Sequence, residues 1–229
     1  MDVTYYLVGG AVRDELLGLK SKDVDFAVEA PSYQDMYVDV RYNRGAHVWQ
    51  ERPEFGSIRA NDPEHGPADF TLCRVDGFYS DGRRPDSVRP GSILDDLARR
   101  DFTVNAIAKT ADGEYVDPWR GRDDLDRMRL RCVGRAEDRF HEDALRLLRA
   151  MRFHVVRGFR LDSRIDRCLR TPLILERLRN VSVERIYEEL RKCYEADTPR
   201  TLAFFREYRW LEDAVFSDRR LRLAPEVRP

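Results

Sequence analysis

Cysteine is sparse and scattered. Cys73, Cys132, Cys168 and Cys193 form no C-x-x-C pair. That spacing excludes a disulfide frame or a zinc knuckle and predicts reduced thiols in a cytoplasmic protein. Long apolar runs are missing too: no stretch approaches the roughly 18 to 20 residues that a membrane span needs. No signal-peptide pattern opens the chain. Internal repeats and low-complexity tracts are absent. Lysine is nearly so, with 4 against 37 arginines, a ratio that genomic codon bias on solvated faces would also produce.

The 229 residues, 42% hydrophobic and 36% charged, suffice for one large or two small soluble domains, each with its own core. A net charge of −1 hides an asymmetry. Residues 1–125 hold 16 Lys+Arg against 24 Asp+Glu, whereas 126–229 hold 25 against 18. A basic half in a near-neutral chain is the footprint expected of a polyanion partner such as RNA.

The first part alternates short β-rich runs with turns. YYLVG is strand-like, Gly9-Gly10 breaks it, and AVRDELLGL follows with helical spacing. DVDFAVE is a second strand closed by Pro31, and HVWQ, GSIRA and ADFTLCRV are further candidates. Residues 76–92, with three Gly and two Pro and no hydrophobic period, predict a mobile loop. From about Glu137 the texture turns helical. Phe140, Ala144, Leu147, Leu148, Met151 and Val155 form one stripe, and three later amphipathic segments continue to Phe216. The expectation is an α+β fold: a head with a mixed β-sheet over 1–133, then an all-helical module over 134–229.

Within the head, Asp23 and Asp25 are two residues apart on a predicted strand, where alternation turns i and i+2 to one face. Hard oxygen donors at that spacing suit Mg²⁺, which takes a few carboxylates plus substrate phosphates. Upstream, LVGGAVRD places a glycine pair between strand and helix, which lets the backbone and the helix N-terminus approach phosphate oxygens. Arg13 adds a guanidinium fork. A plain tight turn is the alternative, and the carboxylates that follow weigh against it. Together these groups predict metal-assisted nucleotidyl transfer, with Asp69 on ADFTLCRV as the best third carboxylate. In DLARRDFTVNAIA, a helix would put Asp101 and Asn105 on one face beside Arg100, able to meet a ribose hydroxyl or phosphate.

EDALRLLRAMRF spaces Asp143, Arg146, Arg149 and Arg152 by three, so a helix would stack them on one face. Cytosine and adenine present an amino donor beside a ring-nitrogen acceptor. A carboxylate beside a guanidinium matches that edge and rejects guanine and uracil, whose polarity is reversed.

LVGGAVRDELLG with DVDF, RRDFTVNAIA, DPWRGRDDL and EDALRLLRAMRF resembles, in order and spacing, the class II tRNA nucleotidyltransferases. These are the CCA-adding enzymes and bacterial poly(A) polymerases of the polymerase-β-like superfamily. The resemblance covers roughly residues 4 to 160. It implies that Gly10 and Arg13 bind a triphosphate, that Asp23 and Asp25 carry Mg²⁺, and that Arg100, Asp101 and Asn105 contact ribose and phosphate. Asp143 and Arg146 would form an amino-acid template for the base, with Arg149 and Arg152 close by. It further implies CTP and ATP as substrates, the tRNA 3′ end as acceptor, and pyrophosphate as leaving group. The 76–92 loop matches in position the loop such enzymes use when switching from C to A addition.

Two departures stand out. Arg120 replaces a glycine many members carry, at a position expected to tolerate change. At 229 residues the chain is shorter than the family's usual members, so a truncated RNA grip is expected: either the arginine-rich half substitutes for it, or tRNA is held weakly or with the help of an accessory partner or a homo-oligomer. A-only or CC-only addition, a transferase that blocks tRNA ends, and an inactive RNA-binding module are the other readings that the residues leave open.

Overall fold

The computed structural model describes residues 3–21, 24–77 and 87–216. These fall into two compact units, 3–77 with 87–127, and 128–216.

The first unit opens with β1 (Thr4–Val8), α1 (Gly10–Leu16), β2 (Val24–Glu29) and α2 (Tyr33–Val38). β3 (His47–Arg52), β4 (Ser57–Asp62) and β5 (Gly66–Leu72) follow as consecutive antiparallel strands. β6 (Arg74–Asp76) and β7 (Val88–Pro90) form a separate two-stranded sheet. α3 (Ile93–Ala98), β8 (Ala108–Lys109), β9 (Tyr115–Val116) and α4 (Gly121–Asp126) complete the unit. Among the described residues the main sheet has seven strands in the order β3-β4-β5-β2-β1-β8-β9. β2 and β5 run parallel and the other pairs antiparallel, so the sheet is mixed.

Strand alternation divides the sheet into two chemistries. One face carries Phe26, Val28, Ile58, Ala60, Ala68, Phe70 and Leu72, packed with Met36 of α2 and with Val40. Phe26 and Phe70 stack at 5.1 Å, and the Arg44 guanidinium lies 4.8 Å from the Phe26 ring while pairing with the buried Asp62. Because the register pairs Asp25 with Asp69 and Asp69 with Arg59, these three residues form a polar row on the opposite face, beside the apolar Val8 that pairs with Asp25.

Several sequence expectations change in detail. ADFTLCRV is two strands rather than one: β5 ends at Leu72, Cys73 breaks it, and β6 turns away to pair with β7. The flanks of the expected 76–92 loop are therefore a strand pair, and residues 78–86 lie outside those described. The RRDFTVNAIA stretch is not an α-helix. α3 stops at Ala98, and residues Thr103–Asn105 form a single 3₁₀ turn.

The second unit is helical apart from a two-residue parallel pairing of β10 (Arg129–Leu130) with β11 (Arg160–Leu161). Its helices are α5 (Ala136–Glu142), α6 (Leu145–Arg157), α7 (Ser163–Leu169), α8 (Pro172–Leu175), α9 (Val183–Ala196), α10 (Thr198–Glu207) and α11 (Arg209–Phe216). α6 buries Leu147, Leu148, Met151 and Val155, the predicted stripe, and α9 packs against it through Ile186 and Leu190. The stripe is not one continuous helix, however. Asp143 has extended backbone, φ −149° and ψ 105°, and separates α5 from α6. Among the described residues no helix is long and apolar enough to cross a membrane.

α4 holds the 3₁₀ turn in place. Asp117 accepts the backbone N–H groups of Gly121 (2.7 Å) and Arg122 (2.9 Å), and Thr103 Oγ1 donates to the buried Asp124 at 2.7 Å. A methyl on Gly121 would lie 2.2 Å from the Thr103 carbonyl oxygen. Arg120, by contrast, sits at φ 57°, a left-handed conformation that favours glycine. Gly121→Ala is therefore expected to cost about 3 kcal/mol and lower Tm by roughly 6 to 12 °C, while Arg120→Gly stays within about 1 kcal/mol of the parent. Thermal unfolding of the two variants checks this, and an undiminished Tm for Gly121→Ala contradicts it.

Candidate active site

The chain leaves β1 through Gly9, whose φ of 69° and ψ of −130° suit only glycine. A side chain there would also have no room. Its Cβ would stand 3.2 Å from Arg100 Nη1 and 3.5 Å from Asp25 Oδ2. The turn, a guanidinium and a carboxylate thus converge at the start of α1, where backbone N–H groups of the first turn lack helical acceptors. Gly10 is the first residue of α1, and a Cβ on it would lie 3.5 Å from Arg13 Nη2.

Asp25 is half-buried on β2, register partner of Asp69 on the parallel strand β5. Lateral neighbours in a parallel pair face the same way, so the two carboxylates lie side by side on the polar face. Arg59 Nε reaches Asp69 Oδ1 at 2.9 Å in an exposed pair, which solvent screening makes weak and exchangeable. Asp23, the other predicted ligand, lies outside the described residues. A different group, Asp62, Glu64 and His65, clusters at the β4–β5 turn. There Asp62 already accepts from Arg44 (2.5 Å) and from the backbone N–H groups of Glu64 and His65, which describes a stabilised turn.

Arg13, Asn105 and Asp101 form a chain. Arg13 Nη1 donates to Asn105 Oδ1 at 2.6 Å, and Asn105 Nδ2 donates to Asp101 Oδ1 at 3.0 Å. Asp101 and Asn105 therefore meet as the sequence suggested, through a 3₁₀ turn instead of an α-helical face, with the Phe102 N–H also bonded to Asp101. Arg100 donates twice to Asp96 Oδ2, at 2.9 and 2.8 Å, and once to the Asn105 carbonyl at 3.3 Å.

Asp96 was not singled out from the sequence. Its side chain is 1% exposed and also pairs with Arg99, which lies 3.8 Å from Asp76 on β6. Burial pushes its pKa up, but the Arg100 and Arg99 guanidiniums outweigh burial and hold it below the ordinary carboxylate value. The signal was present in DLARR, since Asp96 precedes the two arginines by three and four residues; its burial was not.

In the second unit the predicted row splits. Arg146, Arg149 and Arg152 do share a face of α6, but Asp143 precedes that helix and does not pair with Arg146. Asp143 Oδ1 accepts the Leu145 N–H at 3.0 Å, and its carboxylate pairs with Arg185 of α9 at 2.7 Å. Arg146 donates to Glu142 at 2.7 Å and to the Arg139 carbonyl at 3.1 Å. Arg152 pairs with the buried Glu189 at 2.6 Å, and Arg149 lies 4.0 Å from the same carboxylate. Arg185 and Glu189 leave no spacing signal in the sequence because their partners lie on another helix, whereas Glu142 stands three residues after Arg139 and four before Arg146, a spacing that does point to it.

A mixed sheet with a glycine turn beside a carboxylate row, followed by a helical part, defines a polymerase-β-like nucleotidyltransferase head. Residues 5–131 match the family described as the poly A polymerase head domain, and the chain belongs to that family. It is 40% identical over 192 residues to a CCA-adding enzyme of Latilactobacillus sakei subsp. sakei, a match covering 83% of this chain and 46% of that one. A crystal structure of the Bacillus stearothermophilus CCA-adding enzyme in complex with CTP superposes with a TM-score of 0.77 at 32% identity, covering 96% of this chain and 53% of the other. A tRNA nucleotidyltransferase complexed with a primer tRNA and an incoming ATP analog gives 0.73 at 28% identity, covering 93% of this chain and 59% of that one. The chain spans about half the length of the curated relatives it matches.

Asp96→Asn leaves two arginines without their buried partner and should cost about 3 to 5 kcal/mol in urea unfolding. Because the folded pKa of Asp96 lies below the unfolded one, its stabilisation is complete above the ordinary carboxylate range and is lost as pH falls through the folded value. The acid-dependent loss of stability should accordingly shrink in Asp96→Asn. An unchanged acid limb would remove Asp96 from this role.

Proposed function

We propose that this chain is the catalytic part of a Mg²⁺-dependent, template-independent RNA nucleotidyltransferase acting in the cytoplasm. It adds C and A to tRNA 3′ ends: the terminal hydroxyl attacks the α-phosphate of CTP or ATP, and pyrophosphate leaves. The observation that carries this reading is the convergence of Gly9, Arg100 and Asp25 at the start of α1, with Asp69 next to Asp25 in register.

Asp25 and Asp69 fit Mg²⁺, being adjacent hard-oxygen donors beside the glycine turn; Asp23 would join them. When bound, the metal supplies Lewis-acid activation of the attacking hydroxyl and charge neutralisation of the leaving group. The chain's own groups bind and orient. Gly9 and Gly10 let backbone N–H groups face the triphosphate, which Arg100 and Arg13 neutralise. Asp101 and Asn105 take the ribose and phosphate oxygens, pre-set by their mutual hydrogen bond.

The helical unit supplies base choice. Asp143 accepts from the amino group of cytosine or adenine and Arg146 donates to the ring nitrogen. Arg149 and Arg152 sit one and two turns further along α6. The functional division is a head over 1–133 and a helical RNA-binding neck over 134–229.

Incubation with Mg²⁺, tRNA lacking its terminal CCA, and each labelled triphosphate in turn tests this reading. Incorporation of C and A that ends after three residues is expected. Unlimited A addition would point to poly(A) synthesis, and no incorporation to an RNA-binding module. Asp25→Ala should lower transfer on the order of a thousand-fold with unfolding unchanged; substantial activity in that variant takes Asp25 out of the mechanism.

A further inference from the structure

The base-reading residues proposed above differ in how they are held. Arg146, Arg149 and Arg152 belong to α6, whose backbone ladder sets where each side chain begins. Asp143 stands outside that helix. Its backbone is extended at the junction of α5 and α6, with its N–H on the Arg139 carbonyl and its own carbonyl taking the Arg146 N–H, and contacts to the carboxylate itself set where that group points. Two are present: the Leu145 N–H at 3.0 Å on Oδ1, and Arg185, whose Nη2 reaches Oδ2 at 2.7 Å and whose Nη1 lies 3.4 Å from Oδ1.

Arg185 is not an isolated surface cation that happens to reach an acid. It stands four residues before Glu189 on α9, so the two share a helix face. Glu189 is buried and takes Arg152 at 2.6 Å. α9 thus presents one cation and one anion to opposite ends of the row that runs from Asp143 to Arg152. Both ion pairs are largely shielded, with side-chain exposures of 26% and 18% for Arg185 and Asp143.

We infer that Arg185 is a positioning residue for base selection, which orients the Asp143 carboxylate so that a free oxygen lone pair faces the amino group of the incoming base. A carboxylate accepts through up to four lone-pair sites. A two-point guanidinium fork occupies some of these and fixes the plane of the rest. Without the fork the carboxylate rotates, and its preference for an amino donor over the O4 acceptor of uracil weakens. This inference rests on the base-reading role proposed for Asp143.

Equilibrium binding of CTP and of UTP to the full chain in Mg²⁺ buffer, without RNA, measures the preference apart from turnover. Asp143→Asn should bring the CTP-to-UTP affinity ratio close to one. Arg185→Gln should lower that ratio about ten-fold, and Arg185→Lys, which keeps the charge but only a one-point contact, should fall between Gln and the parent. If Arg185→Gln does not fold by thermal unfolding, the same ratio measured in Arg185→Lys decides the matter. A parent-like ratio in the Arg185 variants, with Asp143→Asn collapsed, overturns the positioning role. So does an equal loss of affinity for both nucleotides, which is what a merely structural contact would produce. A parent-like ratio in Asp143→Asn instead removes the base-reading proposal itself, and this inference with it.

Discussion

A carboxylate that water does not reach, Asp96, holds two guanidiniums, and much of the head's site is arranged around it. Arg100 is drawn back onto Asp96, and its Nη1, which donates to the Asn105 carbonyl, stands beside Gly9. Arg99 takes the other oxygen and approaches Asp76, the last residue of β6. Burying a charge of either sign alone would be prohibitive. Mutual neutralisation therefore locks α3, the strand pair and the glycine turn into one arrangement. Flexible arginines become fixed donors, which is the preorganisation that the proposed triphosphate binding requires.

The helical unit solves a similar problem differently. The groups proposed to read the base sit on and just before α6, and α9 supplies the counter-charges: Arg185 for Asp143, and Glu189 for Arg152 and Arg149. Hydrophobic packing of α6 on α9 through Leu147, Met151, Ile186 and Leu190 sets the distance at which these pairs form. Apolar stripe and ion pairs therefore depend on each other. A polar row on a helix reads as solvated surface until the neighbouring helix is known.

Local periodicity was legible: YYLV, VDFAVE, HVWQ and SIRA lie in strands, and the stripe at Leu147, Leu148, Met151 and Val155 is buried on one helix. The breaks were not. Cys73 ends β5 because the chain turns to pair β6 with β7, a non-local choice. Asp143 interrupts a stripe that continues without a fault in the sequence; its backbone bonds to Arg139 and Arg146, and its carboxylate to the Leu145 N–H and Arg185. Asp101 and Asn105 met through a 3₁₀ turn, held by α4 and Thr103.

Which residue types gather in order, glycine turn, strand carboxylates, RRD and the Asp–Arg row, was settled along the chain, because adjacent residues and fixed helix or strand periods determine which side chains share a face. Their partners were settled only in three dimensions. Asp69 lies beside Asp25 because β2 and β5 pair in parallel register across a forty-residue excursion. Asp96, Arg185 and Glu189 acquire their roles from burial and from helices brought alongside. Desolvation and distance decide what a charge does, and neither is written in sequence spacing.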